Sequence, residues 1–127
     1  MTTAVARPDT AAHLGLGRKG EDLAARHLQR LGFVVLSRNW RCREGEVDIV
    51  ATNGRTLVVC EVKTRAGRDF GEPAEAVTEE KIVRIRRITG QWLRTFNVKW
   101  CPVRFDVIAV LAAPTGELTL RHFPEAF

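Results

Sequence analysis

No run of apolar residues in this chain approaches the ~20 that a helix needs to cross a bilayer, so no membrane-spanning segment is expected. The opening stretch, MTTAVARPDTAAH, has no continuous apolar core of signal-peptide length either. It is small, polar and proline-containing, so residues 1–13 are expected to form a disordered tail ahead of a single domain over 14–127. Cysteine is scarce and odd in number, at Cys42, Cys60 and Cys101. None lies in a C-x-x-C pair or near a histidine at zinc spacing, which argues against a disulfide framework or structural zinc and for a reducing cytoplasm. Cys60 sits in an apolar run and reads as a small core residue. His13, His27 and His122 are scattered, and no Ser/His/Asp or Cys/His array emerges. GLGRKG (15–20) lacks the G-x-x-x-x-G-K-[ST] spacing and follows no strand, so a nucleotide cofactor loop is rejected. Internal repeats and low-complexity segments are also missing.

What remains is a chain of one-domain length, able to bury roughly two-thirds of its unfolded surface. A net charge of +5 permits a polyanionic partner without requiring one. GRKGEDLAARHLQRLG (17–32) predicts a helix, with Ala24, Leu28 and Leu31 at helical spacing and Gly32 as its stop. FVVLSRNW (33–40) predicts a strand, and two more follow at about 46–52 and 55–64. TRAGRDFGEPAEAV reads mostly as loop, broken by Pro73. Thr78 can cap a second helix over about 79–96, with Ile82, Ile85, Ile88, Trp92 and Phe96 as its apolar stripe. Strands are expected at 103–112 and 118–123. The order α-β-β-β-α-β-β is that of an α+β or mixed α/β domain. Trp40, Trp92 and Trp100 read as core or interface residues rather than base-stacking platforms.

The stretch EVDIVATNGRTLVVCEVKTR (46–65) carries three acids and a lysine within a strongly apolar strand pair. Asn53-Gly54 is the strongest short hairpin signal in the chain, since a two-residue type I′ turn needs positive φ at both positions. With that turn, Glu46 faces Glu61 and Asp48 faces Val59. Alternation along each strand then places Glu46, Asp48, Glu61 and Lys63 on one face, and Val47, Ile49, Val58, Cys60 and Val62 on the other. Asp48 and Glu61 are diagonal neighbours, within reach of a shared ion. Like charges face to face are unfavourable without a cation, and Mg²⁺ suits one or two carboxylates while keeping several waters. The plainer alternative is a solvated sheet face whose acids and lysine pair casually and contribute little.

Asp48-x(12)-Glu61-x-Lys63 across a hairpin resembles the core of the PD-(D/E)xK, or restriction-endonuclease-like, nuclease superfamily. GRKGEDLAARHL, NWRCREGEVDIV, LVVCEVKTR, FGEPAEAVTEEK, RFDVIAV and HFPEAF, taken in order, resemble the small bacterial YraN family of predicted endonucleases within that superfamily. The resemblance spans about residues 17–127. It implies a single-domain restriction-endonuclease-like fold, a central mixed β-sheet flanked by helices. It further implies that Asp48 and Glu61 bind Mg²⁺ (or Mn²⁺) and that Lys63 acts at the attacked phosphate. Glu21, in a G-x-x-G-E pattern, matches a helical acid of related resolvase-like proteins, and Glu46 belongs to a G-E-x-D form of the second strand. Val47 stands where the superfamily pattern has a proline.

From the residues themselves, Glu21 projects in nearly the direction of Leu28, towards the sheet. Its alternative role is to complement the helix dipole. The backbone carbonyl of Val62 is a further candidate metal ligand, and Lys63 can orient water or stabilise developing phosphate charge or, more simply, pair with Glu61. Arg41, Arg43, Arg65 and Arg68 flank the charged end of the hairpin, where they can meet phosphates. Lys81 and Arg84 on the second helix read either as a phosphate track or as a solvated helix face. The expected function is a Mg²⁺-dependent endonuclease acting on duplex or branched DNA, with a homodimer allowed. The rivals are a nucleic-acid-binding protein that keeps the fold without the chemistry, and an interaction module whose acidic face is incidental.

Overall fold

The computed structural model describes residues 10–66 and 78–127. Along the chain run α1 (Thr10–Arg30), β1 (Val34–Cys42), β2 (Gly45–Thr52), β3 (Leu57–Ala66), α2 (Glu79–Thr95), β4 (Val103–Ala112) and β5 (Leu118–Phe123). Helix α1 takes in residues 10–13, which the sequence placed in a tail, while residues 1–9 of that tail lie outside the described residues. Most of the loop expected over TRAGRDFGEPAEAV also lies outside them, and Arg68 with it.

The strands form one five-stranded sheet in the order β1-β2-β3-β4-β5. Its neighbours are antiparallel except β3 and β4, which run parallel from Leu57↔Val103 to Ala66↔Ala112. This is the mixed α/β sheet expected from the element order. Parallel neighbours need a crossover, and α2 lies on it. The two helices cover opposite faces. Ala24, Ala25 and Leu28 of α1 pack on Ile49, Ala51, Val58, Cys60, Ile108 and Val110. Ile85, Ile88 and Trp92 of α2 pack on Val50, Leu57, Val59 and Phe105.

Local chemistry sets the helix ends. At the end of α1, Gly32 has φ +93, its N–H donates to the Gln29 carbonyl, and the Phe33 N–H donates to the Leu28 carbonyl. That is the two-bond glycine stop, and the buried Phe33 joins Leu28 in the core behind it. At the start of α2, the Thr78 hydroxyl accepts the Lys81 N–H at 3.2 Å, as a capping threonine does. The α2 stripe is narrower than the sequence suggested. Phe96 stands 49% exposed, its ring tilted against that of Trp92, because the helix ends at Thr95 and the chain turns away at Asn97 (φ +55).

The hairpin register differs from the expected one. Thr52 pairs with Leu57 and Ile49 with Cys60, so residues 53–56 form a four-residue connection. Only Gly54 takes positive φ. Asn53 instead accepts the N–H groups of Arg55 and Thr56 on its side-chain oxygen, both at 2.9 Å, and that loop replaces the type I′ turn. The shift is by two residues, so each side chain of β3 keeps the face that alternation gave it.

Candidate active site

Alternation on β2 breaks at one residue. Ile49 packs beneath α1, yet Val47 packs with the α2 cluster, against the expectation that the two share a face. The neighbouring strand breaks at the same level. Arg38 reaches Asp22 of α1 at 2.7 Å, while Ser37 accepts the Trp92 indole N–H at 3.0 Å and Trp40 also packs towards α2. Between the pairs Arg38↔Ile49 and Trp40↔Val47 fall Asn39 and Asp48. Asn39 has φ +50, a conformation that asparagine tolerates better than most residues. Both strands change faces at this level, and Asp48 is the residue at the turnover.

The β2–β3 ladder ends immediately beside it, at Ile49↔Cys60. Past that point the Val62 N–H donates to the Asp48 carboxylate at 2.7 Å, so a side chain stands where a backbone carbonyl would continue the ladder. In a strand, a residue's N–H and C=O project to the same edge. The Val62 carbonyl therefore points to the side on which Asp48 lies.

Glu46, Asp48 and Glu61 line one small crevice with Val47, Val59, Cys60, Ile85 and Phe127. Burial pushes the Asp48 carboxyl up to about 6, against the opposing Val62 hydrogen bond and with further repulsion from Glu21, Glu61 and Glu46. The other three acids named from the sequence thus all act on Asp48. Glu21 approaches from the α1 side of the sheet. Gly20 allows this, because a Cβ there would collide with the Thr64 side chain of β3. Glu46 is also tied to the exposed Arg41 at 3.0 Å.

Glu61 and Lys63 follow Leu57 and Val59 onto the α2 side, as alternation requires. There they meet Lys81, whose Nζ lies 3.1 Å from Glu61 Oε1, with both side chains 19% exposed. This departs from the exposed stripe expected for Lys81. Burial pulls its ammonium down, but hydrogen bonds to Lys63 and Glu61 leave it above the ordinary lysine value. Lys63 is lowered by burial and by its hydrogen bond to Lys81. Arg43, Arg65 and Arg84 are exposed, as a phosphate-facing role requires.

Among the described residues, no three Asp, Glu, His or Cys side chains converge into a ready metal cage. Two carboxylates nevertheless fit a hard divalent cation. Glu61 Oε2 is buried with no hydrogen-bond partner among the described residues, and Asp48 is crowded by like charge. An all-oxygen set of one or two carboxylates, open to waters and phosphate oxygens, is what Mg²⁺ accepts.

A second polar node lies beneath α1 and was missed in the sequence. Asp106 of β4 is 0% exposed and accepts two hydrogen bonds from Arg104 (2.9 and 2.8 Å), one from the Glu125 N–H (3.1 Å) and a 2.6 Å contact from His122 Nε2. Burial raises its pKa, but the bonds from Arg104 and His122 outweigh that and hold it below the usual value. His122 Nδ1 lies 3.1 Å from His27 Nε2 of α1. A carboxylate only accepts, so His122 Nε2 carries a proton, and with His122 neutral its Nδ1 accepts from His27. An acid inside the apolar run VRFDVIAV was the available signal, the same one that singled out Asp48.

Sheet, helices and crevice together define a small mixed α/β domain with an acid–lysine centre at the parting of two strands. The chain belongs to the Uncharacterised protein family UPF0102, whose model matches residues 20–110, and this is the YraN family that its motifs resemble. A UPF0102 protein of Frankia casuarinae is 51% identical over 112 residues, covering 88% of this chain and 95% of the relative. Another, from Acidothermus cellulolyticus, is 48% identical over 127 residues, covering 92% and 96%. Among solved structures the chain is similar to Hjc, a Holliday junction resolvase of Archaeoglobus fulgidus, at TM-score 0.45 and 22% identity, over 84% of this chain and 73% of that one. No helix among the described residues is long and apolar enough to cross a membrane.

Proposed function

We propose that the protein is a divalent-metal-dependent endonuclease that hydrolyses DNA phosphodiester bonds, on duplex or branched substrates. The observation that carries this is Asp48, planted where β2 and β3 part, beside a Glu61 oxygen that no group among the described residues satisfies. A folded chain gains nothing from crowding one half-buried carboxylate with three others, and such perturbed groups cluster at functional sites.

On this reading Asp48 and Glu61 hold Mg²⁺ or Mn²⁺, with the Val62 carbonyl as a further ligand and Glu21 and Glu46 adding negative charge around it. A bound ion supplies a Lewis acid for the phosphoryl oxygen and lowers the pKa of its water. Asp48, fixed by the Val62 N–H, would present its carboxylate to the ion from a set position beside β3. Lys63, on the strand that carries Glu61, faces the charge that develops on the phosphate during attack. Arg41, Arg43, Arg65 and Arg84 supply phosphate contacts around the crevice, and these make affinity fall as salt rises.

The rival is a DNA-binding protein without turnover, which the Lys81–Glu61 pair favours because it already neutralises one of the two acids. A cleavage assay with Mg²⁺ or Mn²⁺ on linear duplex, single-stranded, flap and four-way-junction DNA separates the two. Metal-dependent cutting that disappears in Asp48→Asn supports the nuclease. Salt-sensitive binding without cutting of any substrate supports the rival.

A further inference from the structure

We infer that Lys81 is an exchangeable counter-ion: it holds Glu61 in the free protein and yields that carboxylate to the incoming divalent cation as it turns to a DNA phosphate. The inference rests on the metal-nuclease reading above and gives that centre an order of assembly.

The location of Lys81 is costly without such a role. It sits in the first turn of α2, where the helix dipole disfavours a cation and where Glu79 and Glu80 are the residues that suit it. Its backbone is fixed there by the Thr78 cap. Its side chain then runs to Glu61 Oε1 at 3.1 Å, away from bulk water. A second lysine, Lys63, bears on the same carboxylate and on Lys81. Both lysines bear on Glu61, so the carboxylate keeps a cation beside it when Lys81 turns away.

Charge balance decides the direction of exchange. In the free protein Lys63, Lys81 and Arg41 leave the four acids Glu21, Glu46, Asp48 and Glu61 one negative charge in excess. A divalent cation at the carboxylates turns the cluster net positive, which works against keeping Lys81 there. A phosphodiester carries one negative charge and offsets that excess. The four-carbon stem of a lysine is flexible enough to turn from one oxygen partner to another while its backbone stays capped. Two consequences follow. Lys81 competes with the metal in the absence of DNA, and DNA strengthens metal binding by drawing Lys81 off Glu61. By linkage, the metal strengthens DNA binding by the same factor.

The test is Mn²⁺ titration calorimetry on the full chain, wild type beside Lys81→Met and Lys81→Gln, without and with a short DNA duplex bearing phosphorothioate links. Met keeps most of the stem, and Gln keeps a hydrogen-bond donor for Glu61, so melting curves will identify a variant that is folded. The expected result is Mn²⁺ binding about five- to fifty-fold tighter in the variants than in DNA-free wild type, within the usual range of coupling between sites. The duplex should then raise Mn²⁺ affinity in wild type and add much less in the variants. Equal or weaker Mn²⁺ binding by a folded variant overturns the role of Lys81 and leaves the nuclease reading standing. If neither wild type nor variants bind Mn²⁺ with the duplex present, both fall together.

Discussion

Two aspartates lie on neighbouring parts of this sheet and are treated in opposite ways. Asp106 is enclosed and fully met by Arg104, His122 and the Glu125 N–H, and its pKa is held down. Asp48 has one backbone donor, three acids bearing on it, and a pKa pushed up to about 6. A carboxylate with its bonds complete ties elements together, here β4, β5 and the C-terminal segment. One left in deficit works against the fold and is placed to take a ligand. The contrast in partnering, more than residue type, is what sets Asp48 apart from the structural acid as the candidate ligand.

The largest effect that sharpens this contrast is on turnover. Lys63→Ala should lower the cleavage rate about a hundred- to a thousand-fold, by analogy with other groups that stabilise developing negative charge. Its DNA affinity should change far less, and measuring both on one substrate checks this. An unchanged rate in a folded Lys63→Ala protein would remove Lys63 from the catalytic set. Asp106→Ala should break the fold rather than the chemistry. It strands the Arg104 guanidinium and should cost about 3–5 kcal/mol, read from urea melts.

Asp48→Asn should do the reverse in metal-free buffer. The folded Asp48 pKa lies above its ordinary 3.8, so between about 4 and 6 the folded state keeps a proton that the unfolded chain has lost. Stability therefore falls as pH rises through that window. Removing the charge should restore on the order of 1–3 kcal/mol at neutral pH and nothing near pH 3. If Asp48→Asn destabilises at pH 7 without metal, Asp48 belongs with Asp106 and the comparison fails. The smallest effect concerns His27, lowered by burial and then by His122 and Arg30. A depressed histidine makes stability rise with pH through the window below about 6.5. For this half-buried ring the gain should be about half a kcal/mol or less, after allowance for solvent screening. Denaturant midpoints for wild type and His27→Gln between pH 5 and 7 check it.

Much of the fold was legible because local chemistry and tertiary placement agree. The spans of β4 and β5 follow directly from apolar patterning, and the stop of α1 from Gly32. Asp48, Glu61 and Lys63 were legible because charge in an apolar hairpin is conspicuous and a register shift by two preserves faces. The turnover at Asn39 and Asp48 was not, because strict alternation was assumed along both strands. Lys81 carries no local mark either. Its pairing with Glu61 depends on how α2 crosses the sheet, and a lysine on an amphipathic helix looks the same whether it meets water or a carboxylate. His27 and His122 are separated by most of the chain and meet only when α1 lies across β5.

The parallel pairing of β3 with β4 has a kinetic consequence. β2 and β3 are joined by four residues and can meet by local closure on the microsecond scale typical of hairpins. β4 can join β3 only after the segment carrying α2 has been drawn across the sheet, a long-range closure whose entropy is lost before its contacts form. Asp48 and Glu61 are therefore set by early contacts and Lys81 by late ones. Folding φ-values near one-half or more for Val58→Ala and near zero for Ile88→Ala would bear this out, and the reverse order would contradict it. On that order, the acids of β2 and β3 come together before Lys81 reaches them.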